Sequence, residues 1–402
     1  MASSSGQGST SKRARQRFPR DRIRGKTRLS GIPKQPAAIP PASQPPHLVV
    51  ADSVRDMGGG ERFVLDLARH LPTRGWRVTV LAYPGAPLHH RCSETGLPVH
   101  TARTRANGAP WTVLPLIFWL RRTRPDLLLT EFDKDLRTVG LAAHLSGLPI
   151  KIINSRECDG PIKDRPWIRA FHNRVADRIL VASEATRQSS IRSAPWLDPA
   201  RVQVIGKGIP LAPLLDVAPL QNGPLRLGYL GQLVERKRVH LLIAAMTDLD
   251  IKVTLRVAGR GPQEAALRGQ ARRCGIEDRV HFDGFVTDLP AWFETIDALV
   301  LPSLEEGWGY VLAEAAAAGR MILAFDSSSV GEVTPAEQGA LLVDARSGDT
   351  LAAGLRTMVA MDFSERSERA RRLREHARSS LGLDRMLDEL DTFFRATLAP
   401  PR

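Results

Sequence analysis

The sequence predicts an α/β protein made of two doubly wound, Rossmann-like domains that face each other across a cleft. Short apolar runs alternate with segments of helical periodicity along most of the chain, and a proline-rich stretch, residues 210–224, interrupts this alternation once. Several apolar runs show no polar alternation, which is typical of strands buried on both faces of a parallel sheet. Ligands of such sheets bind beyond the carboxyl ends of the strands, so each glycine turn that follows a strand is a candidate contact.

The first half of the chain begins with an apolar run at residues 47–51, which predicts a buried strand. Three glycines, Gly58, Gly59 and Gly60, follow it. Residues 61–71 come next and predict a helix, because their apolar residues recur at helical spacing. The same reasoning predicts further strands at 77–81, near Val99, and at 126–129, 150–153, 178–181 and 202–205, and helices at 111–123, 134–146 and 165–176.

The second half restarts the alternation after the proline-rich stretch. It predicts strands at 225–230, 251–258, 280–282, 297–301, 321–325 and 340–343, and helices at 239–246, 263–274, 288–295, 348–360, 364–378 and 384–397. The predicted domains are a basic tail (1–46), an N-terminal Rossmann-like domain (47–209), a linker (210–224), a C-terminal Rossmann-like domain (225–382) and a C-terminal helix (383–402). We expect this last helix to pack back on the N-terminal domain.

Basic residues are concentrated at the start of the chain. Of the net charge of +14, residues 1–46 contribute +9, from ten Lys and Arg against the single acid Asp21. This tail is rich in Ser, Gly and Pro and poor in large apolar groups, so we expect it to be disordered. It lacks the apolar core of a secretory signal, although its Arg- and Ser-rich composition resembles a transit peptide. Three roles stay open: a solvated tail without a specific role, attachment to an anionic membrane surface, or nonspecific nucleic-acid contact.

The cysteines and the longest apolar run bear on localisation. Cys92, Cys158 and Cys274 have no CxxC spacing and predict neither a disulfide framework nor a zinc site, which indicates a reducing, cytoplasmic compartment. The run at 113–120 is shorter than the roughly 18–20 residues that a spanning helix needs. It predicts a core or interfacial helix, and a peripheral position on the cytoplasmic face of a membrane is the second localisation that we consider.

The most informative motif is a glycine turn between two glutamates. Glu306 precedes the run Gly307-Trp308-Gly309, and Glu314 follows it. An apolar run comes before this segment and an alanine-rich stretch after it, so the turn is predicted to join a strand to a helix. Free N–H groups at such a helix start attract an anion, while the two carboxylates can hold sugar hydroxyls. This combination fits a nucleotide sugar; an ordinary strand-to-helix turn is the alternative.

Other glycine turns follow predicted strands. The loop at 58–60 is not GxGxxG and no acid follows about 20 residues later, which disfavours a Rossmann dehydrogenase. The turn at 231–238 contains Arg236, Lys237 and Arg238, and a cation there can neutralise a leaving diphosphate without a metal. Further candidates are the turn at 259–262 and the run 284–286. A plain loop or a solvated basic turn stays open for each of them.

Hydrolase and metal motifs give no positive signal. The sequence has no GxSxG, and no Cys/His pairing suggests a hydrolase. Asp133 and Asp135 form a DxD, which in other folds holds a divalent cation. Because it lies at the start of a predicted helix, where acids are favoured in any case, we expect no metal there.

Together these segments resemble the GT-B glycosyltransferases, and most closely the retaining enzymes of glycosyltransferase family 4. The similarity extends over nearly all of residues 47–397 and is strongest at 225–343, where the basic turn, the Val-Ala-Gly-Arg-Gly-Pro run and the Glu306-x7-Glu314 spacing occur in order. The resemblance implies that Glu306 contacts the donor sugar and supports catalysis, and that Lys237 binds the diphosphate as the second catalytic residue. The other donor-binding residues that it implies are Gly58, Gly59, Gly60, Gln232, Arg236, Gly259, Gly284, Phe285, Val286, Gly307, Trp308, Gly309 and Glu314, of which Glu314 would hold the ribose.

Two positions depart from the family pattern. Gln232 stands where the family has the arginine partner of Lys237, which removes one positive charge and leaves Arg236 or Arg238 as substitutes. After the strand at 150–153, where many relatives have a histidine, this chain has a different polar segment. Its candidate acceptor-binding residues are Arg156, Glu157 and Asp159.

The resemblance implies a glycosyltransferase that moves a sugar from a nucleoside diphosphate sugar to an acceptor hydroxyl, with retention and without a metal or other cofactor. By family analogy the acceptor would be a growing glycan or a lipid-linked saccharide, and we expect no specific nucleic-acid partner. Two alternatives stay open. One is another GT-B chemistry, such as an epimerase or a phosphorylase. The other is a degenerate fold used for binding, which Gln232 favours and the intact glutamate pair opposes.

Overall fold

The computed structural model describes residues 44–55, 58–104, 108–156, 160–345 and 347–399. Its strands form two parallel sheets. The first sheet contains β1 (His47–Asp52), β2 (Arg77–Ala82), β3 (Val99–Thr101), β4 (Leu127–Thr130), β5 (Lys151–Arg156), β6 (Arg178–Val181) and β7 (Val202–Val204). The second contains β8 (Arg226–Leu230), β9 (Thr254–Ala258), β10 (Val280–Gly284), β11 (Ala298–Leu301), β12 (Met321–Phe325) and β13 (Leu341–Val343).

Both sheets have a doubly wound strand order. It is β3-β2-β1-β4-β5-β6-β7 in the first sheet and β10-β9-β8-β11-β12-β13 in the second. In each case the order reverses beside the first strand, which creates a crevice at the carboxyl ends of the strands. The predicted fold class, two doubly wound domains, is confirmed.

Helices cover the sheets. They are α1 (Gly59–His70), α2 (Pro87–Glu94), α3 (Pro110–Thr123), α4 (Asp133–Asp135), α5 (Leu141–Leu145), α6 (Pro166–Arg174), α7 (Glu184–Ser193), α8 (Ala212–Leu215), α9 (Val239–Ala245), α10 (Glu264–Arg273), α11 (Leu289–Glu294), α12 (Tyr310–Ala317), α13 (Val330–Val333), α14 (Gly348–Ala360), α15 (Phe363–Ser380) and α16 (Leu383–Leu398). None of these helices, within the described ranges, has the length and apolar character needed to cross a membrane.

The N-terminal domain has one helical layer on each face of its sheet. Along β1, Leu48 and Val50 belong to a core shared with α1, α2 and α16. Val49 and Ala51 belong to the opposite core, shared with α3 and α5. All four side chains are fully buried, as the apolar run in the sequence predicts for a strand covered on both faces.

Several segments differ from the sequence prediction, among them α2, which was not predicted, and the following three. The helix predicted at 134–146 is divided by a π-helical segment, Leu136–Gly140, which changes the hydrogen-bond spacing but hardly alters the apolar pattern. The strand predicted from residue 251 begins at Thr254, because Asp250 turns the chain by accepting a hydrogen bond from Lys252 N at 2.8 Å. Helix α7 is absent from the prediction because its buried residues, Thr186 and Ser190, are polar.

The chain segments outside the two sheets pack on them. The predicted linker, residues 210–224, contains α8 and buries Leu214 and Val217 in the C-terminal core. Helix α16 follows the C-terminal domain in sequence but buries Met386 and Phe394 in the core of the first sheet. The N-terminal domain therefore includes the last helix of the chain.

The chain crosses between the domains twice, at two segments that touch. Ile209 N donates to Leu381 O, and Leu383 N donates to Ile209 O, both at 2.9 Å. A Cβ atom on Gly208 would lie 2.5 Å from Gly382 O and 2.8 Å from Leu383 Cα. These atoms belong to the backbone and cannot move aside, so only glycine fits at the point where the two crossings meet.

We expect Gly208→Ala to lower the free energy of unfolding by about 1–3 kcal/mol, because the added methyl group forces the two crossing segments apart. Urea denaturation followed by circular dichroism measures this change. The control is Gly223→Ala, whose Cβ would meet nothing within 4 Å. It should leave the stability unchanged or raise it by up to about 1 kcal/mol. If both variants have the same free energy of unfolding as the parent, the backbone of residues 382–383 does not lie as close to Gly208 as the structure shows.

Candidate active site

The carboxyl edges of the two sheets face each other. Tyr310, the first residue of α12, lies against the glycine loop after β1, since a Cβ on Gly59 would be 3.1 Å from its ring. Trp308 lies against the loop after β7, since a Cβ on Gly206 would be 3.4 Å from its indole nitrogen. Predicted donor-binding residues from both halves of the chain are thus brought together.

A carboxylate from the C-terminal domain caps a helix of the N-terminal domain. Glu332, on α13, accepts hydrogen bonds from the backbone nitrogens of Glu184 and Ala185, each at 2.7 Å. These nitrogens are the first of α7, where free N–H groups and the helix dipole favour a negative charge. The capping contact joins the loop after β12 to the loop after β6 and was not predicted from the sequence.

Glu306 and Lys237 form an ion pair with little exposure to solvent. Each is 8% exposed, and Lys237 Nζ contacts Glu306 Oε1. Glu306 lies in the loop between β11 and α12, and Lys237 in a short 3-10 turn after β8. Burial lowers the pKa of Lys237, an effect that the neighbouring Glu306 opposes. The two residues predicted to be catalytic are therefore in direct contact.

Two serines after β12 hold the backbone of the Glu306 loop. Ser329 Oγ donates to Glu306 O at 2.9 Å, and Ser327 Oγ donates to Ser303 O at 3.1 Å. Ser329 is fully buried. Sequence analysis missed both residues; the signal was a run of three serines that begins two residues after an apolar strand.

Glu314 is paired across the domains. It is 4% exposed on α12, and Arg62, one turn into α1, contacts its Oε1 from the other domain. The Arg62 guanidinium also lies over the Tyr310 ring, 4.9 Å from its centre. Burial raises the pKa of Glu314, and Arg62 acts in the opposite direction. Arg62 was missed from the sequence, where the available signal was a cation two residues after the glycine loop.

The glycine turns of the second sheet form one continuous edge. Gly259 N donates to Gly284 O at 2.6 Å, and Gly231 N donates to Ala258 O at 3.0 Å. A Cβ on Gly259 would lie 1.8 Å from Gly231 O, so the two turns can approach only because this residue is glycine. Among the predicted donor-binding residues along this edge, Gln232, Arg236 and Phe285 are exposed and Val286 is partly buried.

A buried acid lies at the carboxyl edge of the first sheet. Asp52 ends β1 and is fully buried. Its Oδ1 accepts from Val54 N at 2.8 Å, while its Oδ2 has no hydrogen-bond partner among the described residues. Burial, reinforced by the negative charges of Glu61 and Asp135, raises the pKa of Asp52 to about 8. Asp52 is therefore largely protonated at neutral pH.

The carboxylates of the DxD motif have different partners. Asp133 accepts hydrogen bonds from Asn154 Nδ2 and from Arg156 Nη1, both at 2.9 Å. Asp135 is fully buried and contacts Ser53 Oγ. In the part of the chain that the structure describes, no three His, Cys, Asp or Glu side chains are grouped as metal ligands.

The candidate acceptor residues are only partly described. Arg156, at the end of β5, is 7% exposed; besides Asp133, its guanidinium donates to Gly160 O at 2.7 Å and to Ser190 Oγ at 3.2 Å. These contacts hold Arg156 within the domain. Glu157 and Asp159 lie outside the described residues, and so does the basic tail apart from residues 44–46.

Two family models match the chain. The model described as Glycosyltransferase Family 4 matches residues 57–212, and the model described as Glycosyl transferases group 1 matches residues 216–380. The first match covers most of the N-terminal sheet and the second covers the C-terminal sheet. Together they account for most of the chain.

Individual relatives agree with the family models. The chain is 26% identical to the 2-deoxystreptamine glucosyltransferase of Streptomyces kanamyceticus over 325 residues, which is 68% of this chain and 83% of that protein. It is 24% identical to the lipopolysaccharide core biosynthesis glycosyltransferase LpsD of Rhizobium meliloti over 310 residues, 75% of this chain and 84% of that one. Anabaena HepE, solved with UDP and glucose, superimposes with a TM-score of 0.74 at 19% identity, covering 87% of this chain and 99% of HepE. At that identity the structural likeness shows a shared fold.

We expect Asp52→Asn to remove a pH-dependent loss of stability. The folded state binds the Asp52 proton more tightly than the unfolded state, so this proton contributes to the free energy of unfolding. Its contribution is fully present below pH 3.8 and is lost as the pH rises through about 8. Asparagine stays neutral throughout. The variant should therefore gain stability relative to the parent over this window, by at most about 1.4 kcal/mol per pH unit.

Urea denaturation at a series of pH values measures this gain. The matched control is Asp278→Asn, an exposed aspartate of the C-terminal domain, which should follow the pH profile of the parent. Parallel profiles for the parent and Asp52→Asn would rule out a buried, protonated Asp52.

Proposed function

Because the chain belongs to the GT-B glycosyltransferases of the family 4 type, we propose that it transfers a sugar from a nucleoside diphosphate sugar to an acceptor hydroxyl with retention of the anomeric configuration. One observation carries this proposal: two buried carboxylates, Glu306 and Glu314, flank a single glycine turn, and each has a cation in contact. A ligand with sugar hydroxyls and an anionic diphosphate would satisfy the carboxylates and the cations together.

On the donor side, Lys237 is the proposed diphosphate ligand. The ribose hydroxyls would donate to Glu314 and take the place that Arg62 occupies in the structure. Arg62 would then be released beside the glycine loop after β1, where its charge can reach the diphosphate. The cation that the family pattern supplies at position 232, here Gln232, would thereby come from the opposite domain.

The proposed reaction needs no side-chain nucleophile. The bond between the sugar C1 and the diphosphate oxygen breaks, and the diphosphate leaves with the electron pair. Its oxygen takes the proton of the acceptor hydroxyl, whose oxygen bonds to C1 on the same face of the ring. Lys237, Arg62 and the N-terminus of α12 stabilise the growing negative charge of the leaving group, so the proposal requires no metal ion or other cofactor.

Glu306 is proposed to act on the donor sugar. Its carboxylate lies beside Lys237, at the end of the turn that would face the sugar, and its backbone is fixed by Ser329. A carboxylate in this position accepts hydrogen bonds from sugar hydroxyls and stabilises the positive charge that develops at the anomeric carbon. Both interactions are strongest when the surrounding charges are already oriented.

For the acceptor we propose a growing glycan or a lipid-linked saccharide. The similarity to LpsD, which is named for lipopolysaccharide core biosynthesis, supports this class. The acceptor would enter at the carboxyl edge of the first sheet, where Asp52 is buried and Asp133 orients Arg156. Direct contact of the acceptor with Arg156, Glu157 or Asp159 stays a prediction.

Calorimetric titration with UDP-, GDP- and ADP-sugars tests the donor class. UDP-glucose is the first probe, since HepE was solved with UDP and glucose. Product analysis with a saccharide acceptor then separates transfer from epimerisation, which needs no acceptor. If no nucleotide sugar binds, the proposed function fails and the alternative of a degenerate binding fold gains support.

We expect Glu306→Gln and Glu314→Gln to affect different kinetic steps. Glu306→Gln should lower kcat by about 100-fold with little change in donor binding, because the lost charge acts mainly in the transition state. Glu314→Gln should weaken donor binding by about 10-fold or more, because a charged partner of the ribose is lost. Steady-state kinetics and calorimetry measure both effects.

The matched control for these variants is Glu305→Gln, which removes the charge of an exposed neighbour of Glu306. Glu305→Gln should leave kcat and the dissociation constant of the donor within about twofold of the parent values, as expected for a surface substitution. Parental kinetics in both Glu306→Gln and Glu314→Gln would remove the site assignment.

We also expect Gln232→Arg to tighten the binding of the nucleoside diphosphate, because it returns a cation to an exposed position at the mouth of the site. The gain should be several-fold at low salt and should shrink as salt screens the charge. Gln221→Arg, on the exposed surface of the predicted linker, is the control and should bind as the parent does. Equal affinities of Gln232→Arg and the parent at low salt would place position 232 away from the diphosphate.

A further inference from the structure

Helix α3 is apolar on two opposite faces. Its inner face, formed by Val113, Leu116, Ile117 and Leu120, is buried in the core between α3 and the first sheet. A helix that is apolar all round is normally buried all round. The outer face of α3 has no such cover among the described residues.

The outer side chains are strongly exposed. Trp111 is 77% exposed, Leu114 54% and Phe118 68%, and Pro115 between them is exposed as well. These positions follow i, i+3, i+4 and i+7, so they form one stripe. Of the seven large apolar side chains that the described residues leave exposed, three belong to this stripe. Such clustering marks an interaction surface, whereas exposed apolar residues scattered singly need no explanation.

Two arginines extend the stripe at the C-terminal end of α3. Arg121 and Arg122, in the last turn of α3, are both exposed and stand at i+10 and i+11 from Trp111. The helix contains no acidic residue. We define the α3 face as Trp111, Leu114, Pro115, Phe118, Arg121 and Arg122.

We propose that the α3 face docks on a membrane surface that contains anionic lipids. Tryptophan and phenylalanine insert at the boundary between headgroups and acyl chains, and arginines at the end of the stripe bind anionic headgroups. At 14 residues, α3 would lie in the interface and not span the bilayer. The acyl chains of such a membrane would cover the apolar side chains of the α3 face, and its anionic headgroups would neutralise the two arginines.

The basic tail supplies a second membrane signal. Ten Lys and Arg within residues 1–46 give this segment a charge of +9, which adds electrostatic attraction to the same surface. The strength of interfacial binding rises with the apolar area that is buried and with the electrostatic attraction to anionic lipids, so the two contributions reinforce each other. The α3 face contributes the apolar part, which the tail lacks.

The topology sets the docked face beside the proposed acceptor entry. Helix α3 connects β3 to β4, which run parallel in the same sheet, so α3 begins at the carboxyl edge of that sheet. Trp111 is its second residue and lies near the edge that carries Asp52 and Arg156. A lipid-linked molecule in the docked membrane would meet the N-terminal domain on this side. The docking proposal does not depend on the proposed reaction and is tested without it.

Vesicle co-sedimentation of the full chain tests the proposal. The probes are vesicles of phosphatidylcholine alone and of phosphatidylcholine mixed with phosphatidylglycerol. We expect the parent to bind the mixed vesicles and Trp111→Ser/Phe118→Ser to bind them at least about tenfold more weakly, which is about 1.4 kcal/mol. Ile251→Ser is the matched control, because it removes an apolar side chain that is 75% exposed on the C-terminal domain, and it should bind as the parent does.

Charge reversal tests the arginines in the same assay. Arg121→Glu/Arg122→Glu should weaken binding to the mixed vesicles several-fold and leave any binding to phosphatidylcholine alone unchanged. Arg272→Glu/Arg273→Glu is its control, since these two exposed arginines also occupy the last turn of a helix, α10. Equal losses in the two pairs would show that only the net charge of the chain matters and would overturn the proposal.

Two further outcomes would also overturn it. One is parental binding by Trp111→Ser/Phe118→Ser. The other is a parent that forms dimers in gel filtration and becomes monomeric on this double substitution, which would make the α3 face a contact between two copies of the chain. Circular dichroism melting confirms that each variant is folded, which we expect because the substituted side chains are exposed.

Discussion

Two buried carboxylates set the conditions on which this site depends. Glu306 is 8% exposed and Glu314 4%, and an ionised carboxylate at such depth costs several kcal/mol unless a cation and hydrogen bonds compensate for it. Lys237 compensates Glu306 within its own domain, whereas Arg62 compensates Glu314 from the other domain. Separation of the domains would leave Glu314 buried without its cation. The electrostatics of the site and the relative position of the two domains are therefore coupled.

A buried acid of the N-terminal domain, Asp52, also affects the net charge around the site. Asp52 stands at the edge of the first sheet that faces the glutamate turn, and burial raises its pKa to about 8. At neutral pH this edge therefore carries less negative charge than its sequence suggests. An anionic diphosphate that approaches Lys237 and Arg62 is not repelled by Asp52 as it would be by an ionised carboxylate. The desolvation that makes Asp52 a weak acid thus favours the binding that we propose for the opposite edge.

Sequence reasoning found what depends on local pattern and missed what depends on distant contacts. The apolar strands and the glycine turns are encoded within short segments, so the fold class and the Glu306–Glu314 turn were predictable. Arg62 contacts Glu314 across 252 positions of sequence, and no local pattern indicates such a pair. Helix α7 was missed for a related reason, because it buries Thr186 and Ser190 and has no apolar stripe. Glu332 of the other domain accepts a hydrogen bond from the first backbone nitrogen of α7, and no local pattern indicates this contact either.

The two helical layers of the N-terminal domain have different surroundings. One layer contains α1, whose Arg62 reaches the C-terminal domain, and α16, which returns to the first sheet after the second domain is complete. The opposite layer contains α3, whose inner residues are fixed in the core and whose outer residues are exposed. Because Leu116 and Leu120 are buried, α3 cannot rotate to hide Trp111 and Phe118 without emptying that core, a change that costs several kcal/mol. The exposed stripe is therefore a fixed feature of the folded domain, and docking through it would leave the layer that contacts the C-terminal domain free.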